Sequence, residues 1–129
     1  MAEVSDSEFR TFEDLDCWKA GRELRKWVSQ QVGTLPKEEK FILWSQLTRS
    51  ARSVTANIAE GYGRFHYQEN IQFCRQARGS AYEVLDHLLT AFDEEYIDQK
   101  TLMEGRGLIE TAVKLVNGYI RYIEKQKSK

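Results

Sequence analysis

The sequence predicts an all-α protein, an antiparallel up-down-up-down four-helix bundle, and three observations predict it. Apolar residues recur at steps of three and four through four long segments, short stretches of glycine, proline and polar residues separate those segments, and nowhere is there the alternation of a strand. At 129 residues, with 41% hydrophobic and 30% charged side chains, the chain fits one domain that buries roughly two-thirds of its unfolded surface without metal or disulfide support. The expected organisation is an acidic tail over 1–11, a bundle over 12–125 and a short C-terminal tail over 126–129. Within the bundle, helices are expected at about 12–32, 36–60, 67–94 and 99–125.

The first helix runs from Phe12, with Thr11 as N-cap and Asp14 three residues on completing an approximate capping box. Its apolar face is Leu15, Trp18, Leu24, Trp27, Val28 and Val32. Gly33-Thr34-Leu35-Pro36 ends it. Pro36 suits the first turn of the second helix, where Glu38 and Glu39 complement the positive end of the dipole. Trp44, Leu47, Ala51, Val54 and Ile58 then form the seam of a helix packing at a shallow angle, and Gly61 and Gly63 supply its stop. The third helix repeats the spacing through Ile71, Cys74, Arg78, Ala81, Leu85, Leu88 and Phe92, which puts an arginine on the seam. The fourth starts from an Asp98 cap and carries Leu102, Gly105, Ile109, Ala112, Val116, Tyr119 and Ile123, with Ile120 beside them. Connections this short make neighbours antiparallel.

The inventory of reactive residues points away from catalysis. Di-iron bundles need Glu-x-x-His pairs, and His87, the histidine within a helix, has Val84 three residues before it. His66 falls at a helix start, and Glu83 with His87 reads as ordinary helix-surface pairing. Gly61-Tyr62-Gly63 follows a helix rather than a strand and lacks the lysine of a phosphate loop. Cys17 and Cys74 sit inside helical patterns without a CxxC partner, as buried thiols of a reducing compartment do. No apolar run approaches the ~18 residues of a membrane span, and the acidic N-terminus is unlike a signal peptide. A cytoplasmic, non-enzymatic protein with no metal and no cofactor is expected.

A net charge of −1 conceals segregation. Acids dominate 1–16 and 83–104, whereas 44–80 holds Arg49, Arg52, Arg64, Arg75 and Arg78 against Glu60 and Glu69, and 106–129 is again basic. Such a distribution steers an anionic partner or supports self-association between unlike patches. Helical stepping places Arg49, Arg52, Ala56 and Glu60 on one stripe opposite the second seam. Mid-way along the third helix, Ala77-Arg78-Gly79-Ser80-Ala81 sets four small residues around an inward arginine, despite a glycine cost of ~1 kcal/mol relative to alanine. A close helix approach is expected there, with Arg78 satisfied by Glu60, Glu83 or helix-end carbonyls.

Several runs together resemble a known family: Leu35-Pro36-Lys37-Glu38-Glu39, Gln46 to Val54, Asn57-Ile58-Ala59-Glu60-Gly61-Tyr62-Gly63-Arg64, and Ala77-Arg78-Gly79-Ser80 with Glu69, Phe73 and Glu83. They resemble the bacterial four-helix-bundle proteins encoded by intervening sequences of large-subunit ribosomal RNA genes, also called S23-type. The resemblance spans about residues 12–122 and is most specific from Gln46 to Arg64. It implies ring-shaped homopentamers. A related branch serves as accessory protein to the reverse transcriptase of diversity-generating retroelements and binds nucleic acid on a basic surface. The pI of about 6.2 contrasts with that branch's basic character. No catalytic residue carries over from the resemblance, while Arg49, Arg52, Arg64 and Arg78 fall within its motif.

The expected function is therefore an oligomeric adaptor associated with RNA or DNA, including a ribonucleoprotein or reverse-transcriptase complex. Arg49, Arg52 and Arg64 are the expected phosphate contacts and Tyr62 a stacking surface, while Asn57, Glu60, Gly61, Arg78, Gly79, Ser80 and Glu83 form a structural motif. The alternative is a protein-interaction scaffold that binds no nucleic acid.

Overall fold

A computed structural model describes residues 11–129, and the acidic segment 1–10 lies outside the described residues. Four helices form: α1 (Asp16–Val32), α2 (Leu43–Tyr62), α3 (Tyr67–Asp93) and α4 (Gln99–Lys127). There is no strand among the described residues. Helix α1 packs on α2, α2 on α3, α3 on α4, and α4 back on α1, closing a bundle. Contacts across each seam run in opposite directions. Ser53 meets Ser80 while Gly61 lies against Asn70; Arg78 meets Asn117 while Gln68 meets Lys127. The arrangement is thus antiparallel, around a core of Leu24, Leu47, Val54, Ile58, Ile71, Val84, Leu88, Ile109 and Val116, each no more than 1% exposed. No helix among the described residues is long and apolar enough to cross a membrane.

Several helix ends depart from the sequence expectation, each for a local reason. Thr11 does cap, but it caps a 3-10 turn (Phe12–Asp14), and its partner is Glu13, whose backbone N–H donates to Thr11 Oγ1 at 3.1 Å. Leu15 is extended, and this bend lays Phe12 edge-on against Trp18, centroids 5.3 Å apart, before α1 begins. Helix α2 starts at Leu43 and not at Pro36. Residues Lys37–Glu39 make a separate 3-10 turn, and the kink through Ile42 lets both Leu35 and Leu43 enter the core. Tyr96 ties that loop to the far connection by donating to Glu39 Oε2 at 2.8 Å.

Helix α3 ends in a Schellman motif made without glycine. Glu95 takes φ 63°, and the Tyr96 N–H reaches Ala91 O at 2.8 Å. Asp98 caps α4 as expected, accepting from the Thr101 N–H at 2.9 Å. Helix α4 continues through Lys127, beyond the expected tail boundary, and Lys127 Nζ donates to Gln68 Oε1 at 2.6 Å.

Two expectations about glycine and arginine are corrected. The α3 seam is Ile71, Cys74, Ala77, Ala81, Val84, Leu88 and Ala91, so Arg78, Leu85 and Phe92 lie beside it rather than on it. A one-residue step rotates a helical side chain by about 100°. Arg78 is carried to the helix edge, where Nη1 donates to Asn117 Oδ1 at 2.6 Å, and neither Glu60 nor Glu83 is its partner. Gly79 faces open space, with nothing within 4 Å of where a methyl would sit, so no close approach explains it. Gly61 is the tight one. It lies inside α2, where an added Cβ would sit 2.6 Å from Asn70 Oδ1 and 2.9 Å from Phe73 Cβ. Gly63 caps the helix in an ordinary right-handed conformation.

Candidate nucleic-acid interface

Helical stepping decides which side chains of α2 can meet a partner. Because Leu47, Ala51, Val54 and Ile58 are buried, Arg49, Arg52, Ala56 and Glu60 are all exposed. The structure adds what one helix could not show: α1 lies alongside and contributes more cations to the same face. Arg25 Nη1 donates to Thr55 Oγ1 at 2.8 Å, which carries its guanidinium across the α1–α2 seam towards Arg52. Arg25 and Arg22 also stand over Trp18, 6.0 and 5.7 Å from its ring centroid.

Two shallow hollows follow this seam. One, of about 300 Å³, lies between Phe12, Trp18, Arg25, Arg52 and Ala56. The other, of about 470 Å³, lies between Lys40, Phe41, Trp44, Arg49 and Arg52. They share Arg52, so the face is one band from Trp18 to Phe41. Phe41 is 86% exposed beneath Lys40, whose Nζ is 5.6 Å from the ring. Neither Arg49 nor Arg52 makes an ion pair among the described residues. Unpaired guanidiniums beside aromatic faces suit phosphates and stacked bases. The indole N–H of Trp44 is buried at the edge of this band, without an acceptor among the described residues.

The other expected contacts are placed differently. Arg64 lies just past α2, with Nη2 2.8 Å from Glu60 Oε2 and its guanidinium 4.9 Å from the centre of the Phe73 ring. Both partners are well exposed, so the pair is worth little and opens readily. Tyr62 is half-buried and edge-on to Phe12, centroids 6.5 Å apart. Arg22, Arg25 and Lys40 escaped sequence reading, although Trp18, Arg22 and Arg25 at steps of four and three already form one helical face.

Of the expected structural motif, Gly61 and Ser80 join α2 to α3, whereas Arg78 turns to Asn117 of α4 and Glu60 to Arg64. Asn57 Nδ2 donates to Ser53 O and Ser53 Oγ, both at 2.9 Å, and Ser80 Oγ donates to Ser53 Oγ at 2.8 Å. Glu83 takes no part and pairs with His87 at 3.2 Å. The two cysteines are buried, and burial pushes the Cys17 thiol up to about 12 and Cys74 up to about 11, so neither supplies a thiolate near neutrality. Among the described residues no three His, Cys, Asp or Glu side chains gather to hold a metal.

The family model described as 23S rRNA-intervening sequence protein matches residues 13–118, and the chain belongs to that family. No curated protein matches it.

Proposed function

We propose that this member of the 23S rRNA-intervening sequence protein family is a non-enzymatic, oligomeric adaptor that associates with nucleic acid through the α1–α2 face. One observation carries the reading: a continuous band that holds Arg25, Arg52, Arg49 and Lys40, with Trp18 at one end and Phe41 at the other, and with Arg49 and Arg52 unpaired among the described residues. The family's name, which refers to 23S ribosomal RNA, supports RNA as the partner. With a net charge of −1, the protomer owes any attraction to this segregated face. A homopentameric ring repeats the face around its axis, and linked copies multiply a modest affinity.

The test is a fluorescence-anisotropy titration of structured RNA and duplex DNA at two salt concentrations. Each phosphate contact removed should lower the salt slope by about 1. The Arg49→Ala, Arg52→Ala double variant should therefore weaken binding to all sequences, while Arg64→Ala has a smaller effect. Light scattering on the same samples should give several times the protomer mass of 15.1 kDa. A second reading, a scaffold that binds protein only, draws on Phe41 and Phe65, 86% and 98% exposed. Absence of binding at low salt, or binding indifferent to the double variant, decides for it.

A further inference from the structure

The flank opposite the α1–α2 face carries a different site. Between α3 and α4 lies a half-open groove of about 370 Å³, floored by Leu85, Ile109 and Val113 and walled by Tyr82, which is 53% exposed. Arg106, Lys114 and Arg121 follow it along α4, roughly 10–12 Å apart along the axis. None of the three makes an ion pair among the described residues. Glu110, one turn from both Arg106 and Lys114, lines the same groove and pairs with neither. Asn117 also lines it. Because Arg78 occupies Asn117 Oδ1 at 2.6 Å, that amide has its NH₂ left to offer.

The groove thus combines an apolar floor, an aromatic wall, cations, one acceptor and one amide donor, in a volume within the usual small-ligand range. We propose that it binds a nucleotide whose base carries an exocyclic amino group, free or as an unstacked unit of single-stranded RNA. The flat base lies against Tyr82 and the aliphatic floor, and the phosphate meets the cations of α4. Glu110 selects among anions. A carboxylate-rich peptide leaves it repelled, whereas the amino group of adenine, cytosine or guanine donates to it. Uracil has no such group and offers only its ring N3–H, flanked on both sides by carbonyl oxygens that the carboxylate repels. No residue of this site belongs to the α1–α2 band, so the two readings stand or fall separately.

Calorimetric titration of the full chain at low salt tests the assignment, with AMP, CMP, GMP, UMP, inorganic phosphate, and short oligo(A) and oligo(U). The amino-bearing nucleotides should bind roughly tenfold more tightly than UMP, as one lost base contact implies. Tyr82→Ala should weaken them by roughly tenfold through lost stacking and leave inorganic phosphate unchanged. Lys114→Gln with Arg121→Gln should abolish binding, and Glu110→Gln, able to donate to uracil, should erase the preference against UMP. The Arg49→Ala, Arg52→Ala variant should bind as the parent does. Oligo(A) binding without AMP binding assigns the strand as source, and AMP binding assigns the free nucleotide. No saturable binding, UMP equal to AMP, phosphate equal to AMP, or loss only in the Arg49, Arg52 variant would each overturn the proposal.

Discussion

Two glycine-to-alanine changes, one near the end of α2 and one midway along α3, should move stability in opposite directions. At Gly61 the new methyl would lie 2.6 Å from Asn70 Oδ1, 2.9 Å from Phe73 Cβ and 3.1 Å from Asn70 O. Asn70 cannot swing aside freely: Nδ2 donates to Tyr119 Oη at 3.1 Å, and Oδ1 accepts from Cys74 Sγ at 3.6 Å. The other two atoms belong to the body of α3, so α2 and α3 must part. Overpacking of this kind costs about 1–3 kcal/mol, against a helix-propensity gain below ~1 kcal/mol because Gly61 is one residue from the helix end. Gly61→Ala should therefore lose about 1–2 kcal/mol. Gly79 has nothing within 4 Å, is exposed and sits mid-helix, so Gly79→Ala should gain about 0.5–1 kcal/mol. Urea unfolding followed by far-ultraviolet circular dichroism at one fixed protomer concentration measures both. A midpoint for Gly61→Ala equal to or above the parent's would refute the close-approach reasoning.

Arg78→Ala should cost about 1.5–3 kcal/mol, the range for a hydrogen bond that involves a charged group, and a loss above about 4 kcal/mol would show a buried ionic partner instead. The Thr101 backbone N–H holds the Asp98 carboxyl below its ordinary 3.8. A depressed native pKa favours folding above the unfolded value and ceases to do so as pH falls through the native one, so Asp98→Asn should separate from the parent at neutral pH and converge with it below about pH 4. Cys17 and Cys74 should resist a thiol reagent at pH 8 in the native protein and react fully in denaturant; rapid labelling of the folded chain would contradict their burial.

Period and punctuation make the four helices legible, since Leu47, Ala51, Val54 and Ile58 admit one inward face and Asp98 is an unambiguous cap. Along α3 the spacing is ambiguous by one residue in places, because Ala77 and Arg78, Val84 and Leu85, and Ala91 and Phe92 all keep steps of three and four. A spacing rule ranks the bulkier member higher, whereas close packing selects the smaller. Gly61 and Gly79 exchange roles for a related reason: both are glycines in a helix, and the neighbour that distinguishes them comes from another helix. At the candidate interface, Arg49 and Arg52 are visible in the sequence because they share α2. Their companions Arg22 and Arg25 are some 30 residues away in the chain, as the 30-residue separation of the Arg25–Thr55 hydrogen bond shows. Charge runs within one segment are readable; a face built from two is not.

Closure of the bundle by α4 against α1 has a consequence for how the chain can be rewired. Three of its four seams join consecutive helices, and the fourth joins the first to the last, with Gly105 giving Trp27 room: a methyl there would lie 2.7 Å from the Trp27 ring. The α1 start and the α4 end share a hollow formed by Leu15, Cys17, Tyr119 and Tyr122. A circular permutant that links the two there and opens the chain between Gly63 and His66 keeps every seam while making the α4–α1 junction local and the α2–α3 junction the distant one. Loop-closure entropy then falls on a different pair of helices. Comparing folding rates of the two connectivities shows which seam limits assembly, with the folded bundle held constant.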